Sequence, residues 1–394
     1  MSTGLLDAAI EAAAALGMPL WLVGGAVRDA AVGLPVRNVD VSVEGDAAVL
    51  AEAVARRVSG ELSRFPRFGT ATVQLGVEAP EAPEVLDVAS TRIERYARSA
   101  ALPAVEQGAT IEQDLARRDF SVNAIALAVS GVRSGEIVDP CEGLADLAAG
   151  RLRVLHDRSF VDDPTRLWRA ARYSARLGLR PDAATATLIA RDRHFLRHVS
   201  GVRIRGELAR TAAERRVAAT LGLLDGWGVL AASAPGLALA PATARALRHR
   251  PGPHGAALLL ALLLAPLPDR AHVLHRLSPT RDERRAVEHA VRLLTTQSVD
   301  VAVLELLEGM AAEGRRAALW LDPGRQRPLQ QALARWERAR PPLDAAALLR
   351  LGVTPAVAVG EWLRRLRRER YLGNLSSAAT ARRLVRAAQR PDGD

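Results

Sequence analysis

The chain has 394 residues, of which 49% are hydrophobic, 25% charged and 4% aromatic, with a formal net charge of +10. That length exceeds one ordinary core and predicts two or more domains, and the composition is that of a soluble globular protein. A single cysteine, Cys141, excludes an intrachain disulfide and a thiolate metal cluster and fits a reducing, cytoplasmic setting.

The opening residues MSTGLLDAAIEAAAALG lack a basic n-region and carry Asp7 and Glu11, so they do not read as a signal peptide. The apolar run from Ala256 to Pro266 falls short of the ~20 residues a membrane span needs and predicts a buried helix instead. No lysine occurs, so all 54 basic residues are arginine. Residues 1–100 hold nine of them against thirteen acidic residues, a balance of −4 that leaves the remainder at +14. This polarity suits an enzyme that holds metal ions at one end and a polyanion along the other, and an arginine-rich solvated surface is the plainer alternative.

Leu20-Trp21-Leu22-Val23 predicts a short buried strand that ends at Gly24-Gly25, with a helix from Ala26. The first backbone N–H groups of that helix lack intrahelical partners and carry the positive end of its dipole, so the Gly24-Gly25 turn is a phosphate seat. Arg28, on the first turn, is placed to fork onto a triphosphate. Val39 to Val43 alternates as a second strand, with Asn38 and Asp40 on one face. Asp46 is the expected N-cap of an alanine-rich helix through Val58. Glu61 to Leu75 reads as a hairpin around Phe65-Pro66-Arg67-Phe68-Gly69, and Val85 to Val88 as a strand presenting Asp87. Ala100 to Gly108 shows no regular period.

Further along stands Arg117-Arg118-Asp119-Phe120-Ser121-Val122-Asn123-Ala124, then Asp139-Pro140-Cys141-Glu142-Gly143-Leu144 with a turn glycine. In Asp162-Asp163-Pro164-Thr165-Arg166, Asp163 is the expected cap and Pro164 the first position of a helix whose Arg166, Arg169 and Arg172 form a basic stripe. Beyond Leu177 the pattern is helical, punctuated by Gly and Pro, and it closes on Arg364, Arg365, Arg367, Arg368 and Arg370. His156-Asp157 and the His194/His198 pair lack the further ligands a metal site needs.

The Gly24-Gly25-Ala26-Val27-Arg28-Asp29 turn, the acidic strand after it, the Arg117 to Ala124 run and the Asp162 to Arg166 segment together resemble the class II tRNA nucleotidyltransferases and bacterial poly(A) polymerases. The resemblance is dense from Leu22 to about Leu179. It implies an α/β, polymerase-beta-like nucleotidyltransferase head with a mixed sheet over residues 1–150. A helical neck with a nucleotide-selecting motif would occupy 151–215, and an all-α body and tail that bind tRNA would occupy 216–394.

It further implies that Asp40 and Asp87 are catalytic and hold Mg²⁺, or Mn²⁺, with Asn38 standing where the family has aspartate. Gly24, Gly25, Arg28, Arg118, Asp163, Arg166, Arg169 and Arg172 would bind the nucleotide, with Asp163 and Arg166 reading its base. The implied substrates are CTP, ATP and the tRNA 3′ end, and the implied activity is CCA addition. CC-only addition, A-only addition, poly(A) tailing and a non-catalytic RNA-binding relative, the last because of Asn38, stay open as alternatives. The Ala100 to Gly108 segment matches in position a mobile loop that the family uses to admit ATP.

Overall fold

The computed structural model of the protein describes residues 3–34, 36, 39–75, 85–296, 301, 304, 310–354 and 356–389. The chain divides into two compact units, the first comprising Met1–Leu239, Pro251–Pro253 and Ala271–Ser278, the second the remaining segments. Among the described residues no helix is long and apolar enough to cross a membrane.

The first unit is built on a seven-stranded sheet. Numbered along the chain, its strands are β1 (Leu20–Val23), β2 (Val39–Val43), β3 (Glu61–Phe65), β4 (Thr70–Gln74), β5 (Val85–Ser90), β8 (Ala126–Ser130) and β9 (Ile137–Val138). They lie in the order β3-β4-β5-β2-β1-β8-β9. Only β2 and β5 pair in parallel, so the sheet is mixed, as the resemblance implies.

Successive side chains point to opposite faces of a strand. Leu20, Leu22, Val41, Val43, Ala71, Val73, Leu86 and Val88 therefore share one face, which packs on α1 (Thr3–Leu16) and α3 (Ala47–Val58) in one apolar core. Asp46 caps α3 as expected, accepting the Ala48 N–H at 2.8 Å. The opposite face carries Trp21, Val23, Asp40, Ser42, Thr72 and Asp87. Ile111 and Leu115 of α4 (Ile111–Ala116) cover its β1 and β8 end. The β2, β5 and β4 part of that face is the floor of an open cleft.

The segment from Ala100 to Gly108 is more regular than its sequence suggests. β7 (Ala104–Gln107) pairs antiparallel with β6 (Arg92–Arg95). Four-residue strands, one of them next to Pro103, are too short to show a period of two.

After α5 (Gly143–Ala148) the first unit turns helical, with α6 (Ser159–Asp162), α7 (Arg166–Leu177), α8 (Ala183–Asp192), α9 (Gly201–Ala212), α10 (Val217–Gly226) and α11 (Val229–Ser233). The entry to α7 is tighter than a simple cap. Asp163 Oδ1 accepts from the Thr165 N–H and hydroxyl at 3.2 and 2.7 Å, and the Arg166 and Leu167 N–H groups bond three residues back. The regular helix thus begins at Arg166, after one 3₁₀-like turn.

In the second unit the apolar run forms the buried helix Ala256–Leu264. The arginine block lies on the helix Ala356–Tyr371. There Arg367 stacks on Trp336, Arg370 donates to the carbonyls of Leu375 and Ser376, and Arg364 and Arg368 are exposed.

Candidate active site

Because β2 and β5 are parallel and in register, Asp40 stands directly opposite Asp87. Thr72 stands opposite Asp87 on the other side and donates its hydroxyl to Asp87 Oδ1 at 2.6 Å. These residues line a cleft of about 350 Å³ that Arg117 and Arg118 also border. Burial raises the Asp40 pKa and the neighbouring charge of Asp87 raises it further, while Arg118, Arg28 and Arg169 oppose the rise. A hard divalent cation held by the two carboxylates would relieve both burdens, so this donor set fits one. Among the described residues no group of three or more His, Cys, Asp and Glu gathers as a metal cluster. Asn38 lies outside the described residues.

Gly24 turns the chain out of β1 at φ +62°, and its N–H bonds to the Ile125 carbonyl at 3.0 Å. A Cβ there would lie 2.8 Å from Arg118 Nη1, so glycine is needed both for the backbone and for the arginine beside it. Gly25 opens α2 (Gly25–Ala31). Arg28, expected to fork freely onto phosphate, is instead 2% exposed. Its guanidinium is held by Asn123 and by Asp29, and lies 5.3 Å from the centre of the Tyr173 ring. It lends charge to the cleft while its donors are engaged.

The Arg117 to Ala124 run forms the joint between sheet and helices. Asp119 accepts from its neighbour Phe120 N–H at 2.9 Å and from Asn123 Nδ2 at 3.0 Å, and pairs with Arg169 at 2.8 Å. Burial works to raise its pKa, but the charge of Arg169 and the Asn123 hydrogen bond outweigh it and the pKa falls. Arg118 pairs with the buried Asp114 at 3.0 Å, and its Nε has no hydrogen-bond partner among the described residues. Arg117 reaches Asp114 at 2.6 Å and Glu94 at 2.7 Å.

The α7 arginines do not form a solvated stripe. Arg166 donates to the Ser159 hydroxyl at 2.7 Å and to the Arg117 carbonyl at 2.9 Å. Arg169 is taken by Asp119, and Arg172 forms a buried pair with Glu207 of α9. Spacing of three placed them on one face, and partners from elsewhere in the chain, acidic for Arg169 and Arg172, cover that face.

Asp163 pairs with Arg203 at 2.9 Å, and Arg203 also reaches the Ala100 carbonyl at 2.8 Å. Oδ2 of Asp163 receives no hydrogen bond among the described residues. A second cavity, of about 610 Å³, is lined by Thr165, Arg169, Tyr173, Arg203, Gly206 and Arg210, among others. Asp40, Asp87 and Arg118 thus meet in the sheet cleft, and Arg169 and Arg172 border the second cavity. Arg169 belongs to both settings, because its charge reaches Asp40.

Arg203, Tyr173 and Glu207 were not singled out by sequence, and Asn123 was named only as part of its run. Gly206 offered a signal for two of them. A glycine inside a helical pattern costs about 1 kcal/mol, and here it stands between Arg203 and Glu207 where α9 borders the cavity. Gly143 also does more than turn the chain, since a Cβ on it would lie 2.1 Å from the Ser121 carbonyl oxygen.

The chain is similar to known proteins. The model of the poly A polymerase head domain matches residues 20–153. The CC-adding tRNA nucleotidyltransferase of Deinococcus radiodurans is 32% identical over 373 residues, covering 93% of this chain and 89% of that protein. The A-adding tRNA nucleotidyltransferase of Geobacter sulfurreducens is 39% identical over 234 residues, 59% of this chain, and the chain spans only 26% of that relative's length. A solved CCA-adding enzyme in an apo form superposes with a TM-score of 0.76 at 25% identity, over 98% of this chain and 96% of that one.

Proposed function

Because the chain belongs to the class II tRNA nucleotidyltransferase family, we propose that it adds CMP and AMP from CTP and ATP to the 3′ end of tRNA, without a nucleic-acid template. The observation that carries this reading is Asp40 set opposite Asp87 in a cleft that Arg118 also borders. The family generally works with divalent metal ions, and Mg²⁺ is the ion proposed here, with Mn²⁺ as a substitute. Asp40 and Asp87 would hold it, helped by Asn38, and when bound it supplies charge that acidifies the primer hydroxyl and neutralises the triphosphate.

The rest falls to the chain's own residues. The Gly24-Gly25 turn and Arg118 receive the triphosphate, and the buried charge of Arg28 adds to the attraction. The acceptor 3′ oxygen attacks the α-phosphorus, its proton leaves to solvent, and the bond to pyrophosphate breaks in line. Asp163 Oδ2 accepts from the exocyclic amino group that both C and A present, and Arg166 supplies the donor half of the reading pair. Arg169 and Arg172, fixed by Asp119 and Glu207, keep that pair in place. The half-buried thiol of Cys141 suits the cytoplasm, where we place the reaction.

The test is to incubate the protein with tRNA lacking its 3′ CCA, with CTP, ATP or both, and to sequence the termini. CCA ends with both nucleotides together are the expected result. A second reading, partial addition, is favoured by relatives named for A-adding and CC-adding activity, and it predicts termination at CC or action only on ends that already carry CC. Extension of unrelated RNA by ATP alone would indicate poly(A) tailing. No extension at any Mg²⁺ or Mn²⁺ concentration, with rescue by Asn38→Asp, would establish a non-catalytic relative.

A further inference from the structure

Phe65 is 51% exposed. It is the one exposed Phe or Trp among the described residues, and it lines the carboxylate cleft. It closes edge strand β3 opposite Thr70, which is itself opposite Ala89, two residues beyond Asp87 on β5. Residues opposite one another on antiparallel strands face the same way. The phenyl ring therefore stands on the face of Asp40 and Asp87, its backbone roughly 12 Å from that of Asp87, two strand spacings across and two residues along the sheet.

Its backbone is held firmly. Pro66 narrows the conformations open to Phe65, Ser90 N–H and Arg92 Nη1 bond the carbonyls of Gly69 and Phe68 at 2.8 and 2.6 Å, and Gln107 packs on Gly69. A large apolar ring fixed at the mouth of a charged cleft is a stacking surface for a base.

Direction decides which base. On the β1 side of the carboxylates lie the Gly24-Gly25 turn, Arg118 and Arg28, the cationic groups suited to a triphosphate, whereas Arg92 and Arg117, which also line the cleft, are both paired with Glu94. Phosphoryl transfer runs in line, so the attacking hydroxyl must approach from the opposite side. That side is β4 and β3, where Thr72, Thr70 and Phe65 stand. Resting on the nucleotidyl-transfer reading above, we propose that Phe65 is the platform on which the 3′-terminal base of the acceptor RNA stacks, setting its ribose hydroxyl beside Asp87. Phe65 is then a positioning residue for the acceptor strand, with no part in binding the incoming nucleotide.

The experiment compares the full chain, Phe65→Ala and Phe65→Tyr on a tRNA that ends in pyrrolocytidine, whose emission falls on stacking. Binding should quench the emission with the wild type and with Phe65→Tyr but not with Phe65→Ala. Steady-state rates should show the KM for the acceptor rising about tenfold in Phe65→Ala, the KM for CTP and ATP unchanged, and Phe65→Tyr restoring the wild-type value. Full quenching by Phe65→Ala overturns the proposal, as does an unchanged acceptor KM. The emission readout needs no turnover, so it decides the point even for a wild type that extends nothing, the result that would instead sink the catalytic reading.

Discussion

In the sheet, Asp40 and Asp87 face one another across adjacent strands, and burial and mutual repulsion make Asp40 reluctant to ionise. On α7, by contrast, the four arginines Arg166, Arg169, Arg172 and Arg176 all have partners supplied by other segments of the chain. One region leaves charge uncompensated, and the other compensates it almost completely. The difference separates two uses of ionisable residues: the first creates demand for a cation from outside, and the second fixes the geometry of α7. A count of charges along the sequence sees only the sum.

The largest expected effect comes from breaking the uncompensated side. Asp40→Asn and Asp87→Asn should each lower kcat/KM for nucleotide addition about a thousandfold, since a bound metal is worth several kcal/mol to such a reaction. Asp40→Asn should at the same time raise Tm at neutral pH. Because its pKa is raised in the folded state, ionised Asp40 costs stability above that pKa, and the cost vanishes as pH falls below the ordinary value of 3.8. The Tm advantage of Asp40→Asn over wild type should therefore shrink as the medium is acidified, which thermal melts at a series of pH values would measure. An advantage that grew with acid would contradict the account.

Breaking the compensated side costs stability instead. Glu207→Gln removes the nearer of the two carboxylates beside buried Arg172, Glu214 staying at 3.9 Å, at a cost of about 2 kcal/mol, to be read by denaturant unfolding. Arg203→Ala tests the link between the sides: it releases Asp163, and the ratio of kcat/KM for cognate CTP or ATP to that for UTP should fall about tenfold, the worth of one charge-assisted hydrogen bond. The smallest effect belongs to the exposed pair Arg64 and Glu52, 2.9 Å apart. Arg64→Ala should change stability by no more than about 0.5 kcal/mol.

Much of this architecture was legible in the sequence because local rules and tertiary structure agree. The alternation around Val41 did set Asp40 on one sheet face, Gly24 does adopt a conformation few other residues accept, and Asp46 does cap its helix. What sequence could not reveal was pairing at long range. The engagement of Arg28 by Asn123 and of Arg172 by Glu207 depends on segments 95 and 35 residues apart, and no spacing rule reaches that far. The β6/β7 hairpin was invisible for another reason, since its strands are too short to carry a pattern. The Arg166 to Arg172 stripe shows the cost of reading a face without knowing what covers it.

The contrast rests on the unmet charge between Asp40 and Asp87, and equilibrium titration of Mn²⁺ tests it most directly. The wild type should bind the ion, and both Asp40→Asn and Asp87→Asn should weaken binding at least tenfold with the fold intact by circular dichroism. Equal affinity in all three proteins would mean that the two carboxylates do not hold the metal, and the site would have to be sought elsewhere.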